Sequence, residues 1–184
     1  MRLPVNTFLV NTGEKLVLLD AGGAKMLGPT AGRLPQCLAA AGIDPAQIDE
    51  VYITHMHGDH IGGLMGEAGP TFARARYVTG AVEHNHWSGA ANEGFDTKVK
   101  PLNDKMTFLD DGGTVAPGIT ALAAFGHSCG GFSAPDSDQR GFGETFQLAG
   151  FDNSKNFGFS FFHRGRDRSK RQIPGWGHFH PLGT

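Results

Sequence analysis

The chain has 184 residues, 28 of them glycine, with a formal net charge of −2 and two cysteines. That length suits one domain with a buried core, and the small net charge gives no reason to expect nucleic acid or an anionic membrane as partner. Cys37 and Cys129 are too few for a disulfide framework, and no apolar run has the form of a membrane span or a signal peptide.

Residues 5–10 and 15–20 read as two strands of a hairpin joined by Asn11-Thr12-Gly13-Glu14. The second strand is apolar enough to be central in a sheet and ends in Asp20-Ala21-Gly22-Gly23. Taken alone, Asp20 is a turn-initiating residue. Residues 30–43 place Leu34, Leu38 and Ala41 at helical spacing, with Gly42 as C-cap and Cys37 expected to be buried. Asp44 is the predicted N-cap of a short helix that begins at Pro45. Residues 51–54 form the next buried strand. The order is strand, helix, strand, and open α/β sheets carry their sites beyond the carboxyl ends of such strands.

At that end stands Thr54-His55-Met56-His57-Gly58-Asp59-His60. Three imidazoles and a carboxylate within six residues are the donor types that zinc and similar divalent ions prefer. His55 and His57 alternate, so an extended backbone points both the same way. This H-x-H-x-D-H stretch resembles the signature of the metallo-β-lactamase superfamily. The resemblance implies an α/β fold, a metallo-β-lactamase-like αβ/βα sandwich. It also implies that His55 and His57 hold one metal while Asp59 and His60 hold a second, typically two Zn2+ ions, with a water between them as nucleophile. Asp59 then has its catalytic role as a ligand that orients rather than attacks. Asp20 matches the family's Asp at the end of the same strand, which orients metal ligands, a role that metal-bound histidines need. The family carries further strands before this hairpin, so the chain reads as shortened at its start or as a fragment. Exported relatives carry a leader there. Without one in this chain, the default expectation is a cytoplasmic protein.

Residues 61–64 read as the start of a helix or turn, and residues 72–78 as a half-exposed strand. His84 and His86 are expected on a polar helix face, because a helix brings histidines to one ion at i, i+4 and not at i, i+2. Trp87 has two readings, a core residue or an aromatic that lines the substrate pocket, as in the organophosphate-hydrolase branch that the chain resembles. Residues 91–105 read as a polar loop, residues 106–109 and 114–119 as strands around a turn. Residues 120–125 lead into Gly126-His127-Ser128-Cys129-Gly130, which resembles the family's loop for a third metal histidine, here His127. Cys129 replaces that loop's Pro, and Gly131 its second His.

Beyond Gly130 the composition changes. Residues 1–130 hold 25 Ile, Leu and Val, whereas residues 131–184 hold three, too few for another layer of strands. The predicted organisation is therefore a metallo-β-lactamase-like N-terminal half, residues 1–130, and an atypical Gly/Phe/Arg-rich tail, residues 131–184. A change of reading frame near Ser128-Cys129 accounts for the shift better than a divergent or disordered tail. The family's bridging Asp and final His fall best on Asp152 and His178. His163, His180 and the basic run from Arg164 to Arg171 are assigned to solvent. The resulting expectation is a metal-dependent hydrolase of esters, lactones or phosphotriesters, tilted toward lactonases and organophosphate hydrolases. It would act on a small-molecule substrate, with no nucleic acid or membrane partner, and a homodimer could complete its site. The competing expectation is a non-catalytic remnant that binds at most one ion.

Overall fold

The computed structural model describes residues 5–123 and Ser128. In chain order the strands are β1 (Phe8–Asn11), β2 (Leu16–Leu19), β3 (Glu50–Ile53), β4 (Met65–Gly66), β5 (Gly69–Pro70), β6 (Arg76–Gly80), β7 (Met106–Leu109), β8 (Thr114–Ala116) and β9 (Ile119–Thr120). The α-helices are α1 (Leu34–Ala40), α2 (Gly58–Ile61) and α3 (Ala81–Gly89).

The β1–β2 hairpin forms as its turn chemistry dictates. Asn11 Oδ1 accepts from the Gly13 amide at 2.8 Å, and Gly13 takes the positive φ that its lack of a Cβ permits. β2 then pairs parallel with β3, β3 with β6 and β6 with β7, giving a five-stranded sheet in the order β1-β2-β3-β6-β7. Parallel neighbours require crossovers. The crossover from β2 to β3 runs through α1, which Pro35 helps to start and which closes before Gly42 at φ +72°. It continues through a short 3-10 turn at Pro45–Gln47. Asp44 caps this turn, and Gln47 bonds back to the Asp44 amide.

Alternation along each strand divides the core between the two faces. Leu18, Val51, Ile53 and Tyr77 face Leu38, Ile48, Ile61, Leu64, Phe72, Phe95, Val99 and Leu102. Val17, Leu19, Tyr52 and Val78 face Val115, Ala116, Ile119 and Ala121 of the β8–β9 region. Coverage on both sides explains why β2 and β3 are nearly continuous apolar runs. Each large side chain buried here contributes about 1.5–3 kcal/mol.

Several expectations are corrected. Residues 72–75 form a turn, not the first part of a strand, and β6 lies inside the sheet with Tyr77, Val78 and Thr79 buried. Arg74 and Arg76 alternate only where the chain enters the sheet. Residues 91–105 are not a polar loop. They hold a wide helical turn, Phe95–Val99, and a 3-10 turn, Lys100–Lys105, that bury Phe95, Val99 and Leu102 at helical spacing. The turn expected at residues 61–64 is present, and it closes a helix that begins at Gly58 instead of opening one. Residues 114–119 fold back at Pro117-Gly118, with Gly118 at φ +80°, into the β8–β9 hairpin. Cys37 is half-buried because only the Leu38 side of α1 meets the core. The tail, residues 131–184, lies outside the described residues. No helix among the described residues is long and apolar enough to cross a membrane.

Candidate metal centre

The site grows from the carboxyl ends of β2 and β3. Directly after β2, Asp20 adopts φ +60°, a left-handed conformation that Asp and Asn tolerate better than other side chains. Its buried carboxylate is fully engaged. Oδ1 accepts from the Thr54 amide at 2.8 Å, and Oδ2 accepts from the Thr54 hydroxyl at 2.8 Å and meets His60 Nδ1 at 2.7 Å. Asp20 thus ties the end of one strand to the first residue beyond its neighbour, and it orients one ring of the motif.

The segments after the two strands are seamed together. The Ala21 amide donates to the His60 carbonyl at 2.9 Å and the Gly63 amide to the Gly22 carbonyl at 3.0 Å. A Cβ on Gly62 would sit 2.6 Å from the Gly23 carbonyl oxygen, and one on Gly63 would run into the Ala21 carbonyl. The Gly62-Gly63 pair is a requirement of this close approach.

On this seam the motif is compact. His55 is buried and its ring centroid lies 4.7 Å from that of His57 and 3.8 Å from that of His60. Donor atoms of His55, His57 and Asp59 all lie within 4.8 Å of one another. With bonds of about 2.0–2.2 Å, two ligands of one zinc ion stand at most about 4.4 Å apart. A small side-chain adjustment therefore closes this group on a single divalent ion. His57 precedes α2 in an extended conformation, and its ring meets that of His55 edge-on.

His60 belongs to a different set of contacts. Its Nδ1 meets Asp20, and its Nε2 is 3.5 Å from Asp59 Oδ2. Burial disfavours the imidazolium, but hydrogen bonds to Asp20 and Asp59 and their negative charges outweigh it and raise the His60 pKa to about 10. The His60 hydrogen bond, aided by its charge and opposed by burial, holds Asp59 down at about 2.

Trp87 stands edge-on to His57, with ring centroids 5.7 Å apart at 89°. A cavity of about 200 Å³ is walled by Thr54, His55, Glu83, Val82, Leu109 and Ser128 among others. Trp87 is not part of that wall; it packs against the helix-side core. His84 does not lie on a solvated face as expected. It is buried against Phe95 and Phe108 with Nε2 3.1 Å from Asn103 Oδ1, whereas His86 is exposed. The predicted ligands His127, Asp152 and His178 lie outside the described residues. Thr54 and Glu83 were not singled out by the sequence. Thr54 opens the motif, and Glu83 stands four residues before Trp87, a helical pairing that would have marked it.

The Metallo-beta-lactamase superfamily profile matches residues 1–138. An atrochrysone carboxyl ACP thioesterase from Aspergillus fumigatus is 29% identical over 124 residues, 67% of this chain and 25% of that protein. The lactamase-like protein notP from an Aspergillus species is 30% identical over 125 residues, 67% of this chain and 33% of that one. Among solved structures, AidC, described as a dizinc quorum-quenching lactonase, superposes with a TM-score of 0.55 at 26% identity, covering 65% of this chain and 48% of its own. The chain spans a quarter to a third of the length of these curated relatives and about half of that solved chain. On the family match, the sheet it describes and the motif at the strand ends, the chain belongs to the metallo-beta-lactamase superfamily.

Proposed function

We propose that the chain is a metal-dependent hydrolase whose ion site is built from His55, His57, Asp59 and His60, with His127 as a further ligand. The observation that carries this reading is the convergence of the His55, His57 and Asp59 donor atoms within 4.8 Å. It is supported by the nitrogen and oxygen chemistry of the set and by Asp20, which grips His60 beside it. When bound, zinc or a similar divalent ion lowers the pKa of water and polarises a carbonyl or phosphoryl oxygen. The chain's own part is to hold and orient. His55 is shielded from solvent, Asp59 presents a carboxylate at the helix start, and Asp20 with Thr54 fixes the ring of His60. The substrate class we favour is a small lactone or ester, in keeping with the description of AidC as a lactonase. Phosphotriesters come next, and residues 131–184 remain assigned to an atypical tail.

A second reading is a non-catalytic remnant that holds one ion. It is favoured by the single three-residue donor group among the described residues. Metal analysis of the purified full chain, run beside a panel of lactones, esters and phosphotriesters, decides between them. Two ions per chain with turnover lost in His57→Ala supports the hydrolase. One ion or fewer, with no turnover on any member of the panel, establishes the remnant.

A further inference from the structure

We propose that Glu83 is a positioning residue that sets the orientation of His57, and with it the His55–His57 pair, for metal binding. This rests on the reading of those histidines as ligands and adds to it the group that aims them. One carboxylate oxygen of Glu83, Oε1, accepts three hydrogen bonds. They come from the Met56 amide at 2.8 Å, the Trp87 indole N–H at 2.6 Å and the Ser128 hydroxyl at 2.6 Å. Bonds to an ionised acceptor are short and about twice as strong as neutral ones. The three donors belong to three segments: the loop between the two histidines, α3 itself and the stretch beyond β9.

Each tie has a geometric effect on the cluster. The Met56 amide shares a rigid plane with the His55 carbonyl, so fixing that N–H fixes how the chain leaves His55 and approaches His57. The Met56 side chain is buried in the helix-side core, which anchors the same residue from its other end. The indole held by Oε1 is the one that stands edge-on to His57. Ser128 directly follows His127 in the chain, so the third tie reaches the neighbour of the third predicted ligand. The role depends on where the oxygen sits, so reach matters more than charge.

Two substitutions separate reach from charge. Glu83→Gln keeps the length and an acceptor oxygen but removes the charge. Glu83→Asp keeps the charge but withdraws the oxygen by one methylene. Co2+ titration of the full chain, followed in the visible spectrum, is expected to show about a tenfold or greater loss of affinity and an altered spectrum for Glu83→Asp. Glu83→Gln is expected within about threefold of wild type. In the metal-free chain, the His57 ring resonances should move in Glu83→Asp and hold in Glu83→Gln, a pattern that a general loss of stability does not produce. An Asp variant with wild-type Co2+ affinity, or a Gln variant as damaged as the Asp one, overturns the proposal. If the Asp variant does not fold, Trp87→Phe decides, since it deletes one donor and keeps a ring beside His57. A loss of about threefold or more supports the proposal, and unchanged affinity overturns it. A wild-type chain that takes up no Co2+ defeats the ligand reading separately, and the His57 resonances then decide the tie to Glu83 alone.

Discussion

The strands β2 and β3 are fastened by carboxylates at both ends, and the two ends use them differently. At the amino ends, Asp49 Oδ2 accepts from the Leu16 amide at 2.8 Å, and Glu50 Oε2 meets Lys15 Nζ at 2.7 Å. The lysine side chain is 43% exposed and answers to solvent as much as to Glu50. Glu50 Oε1 is buried with no hydrogen-bond partner among the described residues. At the carboxyl ends, both oxygens of Asp20 are used, and one of them holds an imidazole. A carboxylate paired with a mobile cation fastens strands. A carboxylate locked by a backbone amide, a hydroxyl and a histidine also aims that histidine.

The comparison is broken most sharply at the aimed rings. His57→Ala should lower divalent-ion affinity by about 100-fold or more and abolish any turnover, as loss of one ligand from a three- or four-donor site requires. Equilibrium dialysis with Zn2+ reads the first effect, and retention of tight binding would remove His57 from the ligand set. Asp20→Ala comes next, with an expected loss of about 10–100-fold in ion affinity. An Asp20→Ala chain that binds Zn2+ like wild type would place Asp20 among the mere strand fasteners. Gly63→Ala tests the seam beneath both residues. Its methyl must displace the Ala21 carbonyl, so denaturant melts should show a destabilisation of about 2–3 kcal/mol. The smallest effect belongs to the amino end. Glu50→Gln should cost about 1 kcal/mol or less, because the pairing with a half-exposed lysine is screened by water, and Zn2+ affinity should not move. A matching loss of affinity there would erase the contrast between the two ends.

The parts legible in the sequence were those written in local patterns. The β1–β2 hairpin has its turn residues in the turn, and the Asp44 cap carries its Gln47 partner three residues on. The donors of the motif fall within six residues, so their proximity needed little from the fold. Asp20 is 40 residues from His60, and its own neighbours suggested only a turn; the resemblance of the surrounding motifs supplied a ligand-orienting role, and the fold supplied the partner. Other features had at most a weak local pattern to give them away. Phe95, Val99 and Leu102 form an apolar stripe, but the intervening Asp96, Thr97, Lys98 and Lys100-Pro101 obscure it. His84 reads as polar until Phe95 and Phe108 close over it from different elements. Glu83 is an ordinary surface-type residue whose donors at 56 and 128 meet it only through the tertiary fold.

Position 20 answers to two filters at once. Its backbone angle admits Gly, Asn and Asp with little strain, while its side chain must receive an amide, a hydroxyl and an imidazole together. A library of all twenty amino acids at this site, sorted first for a folded chain and then for ion retention, should pass a small group through the first sort and aspartate by itself through the second.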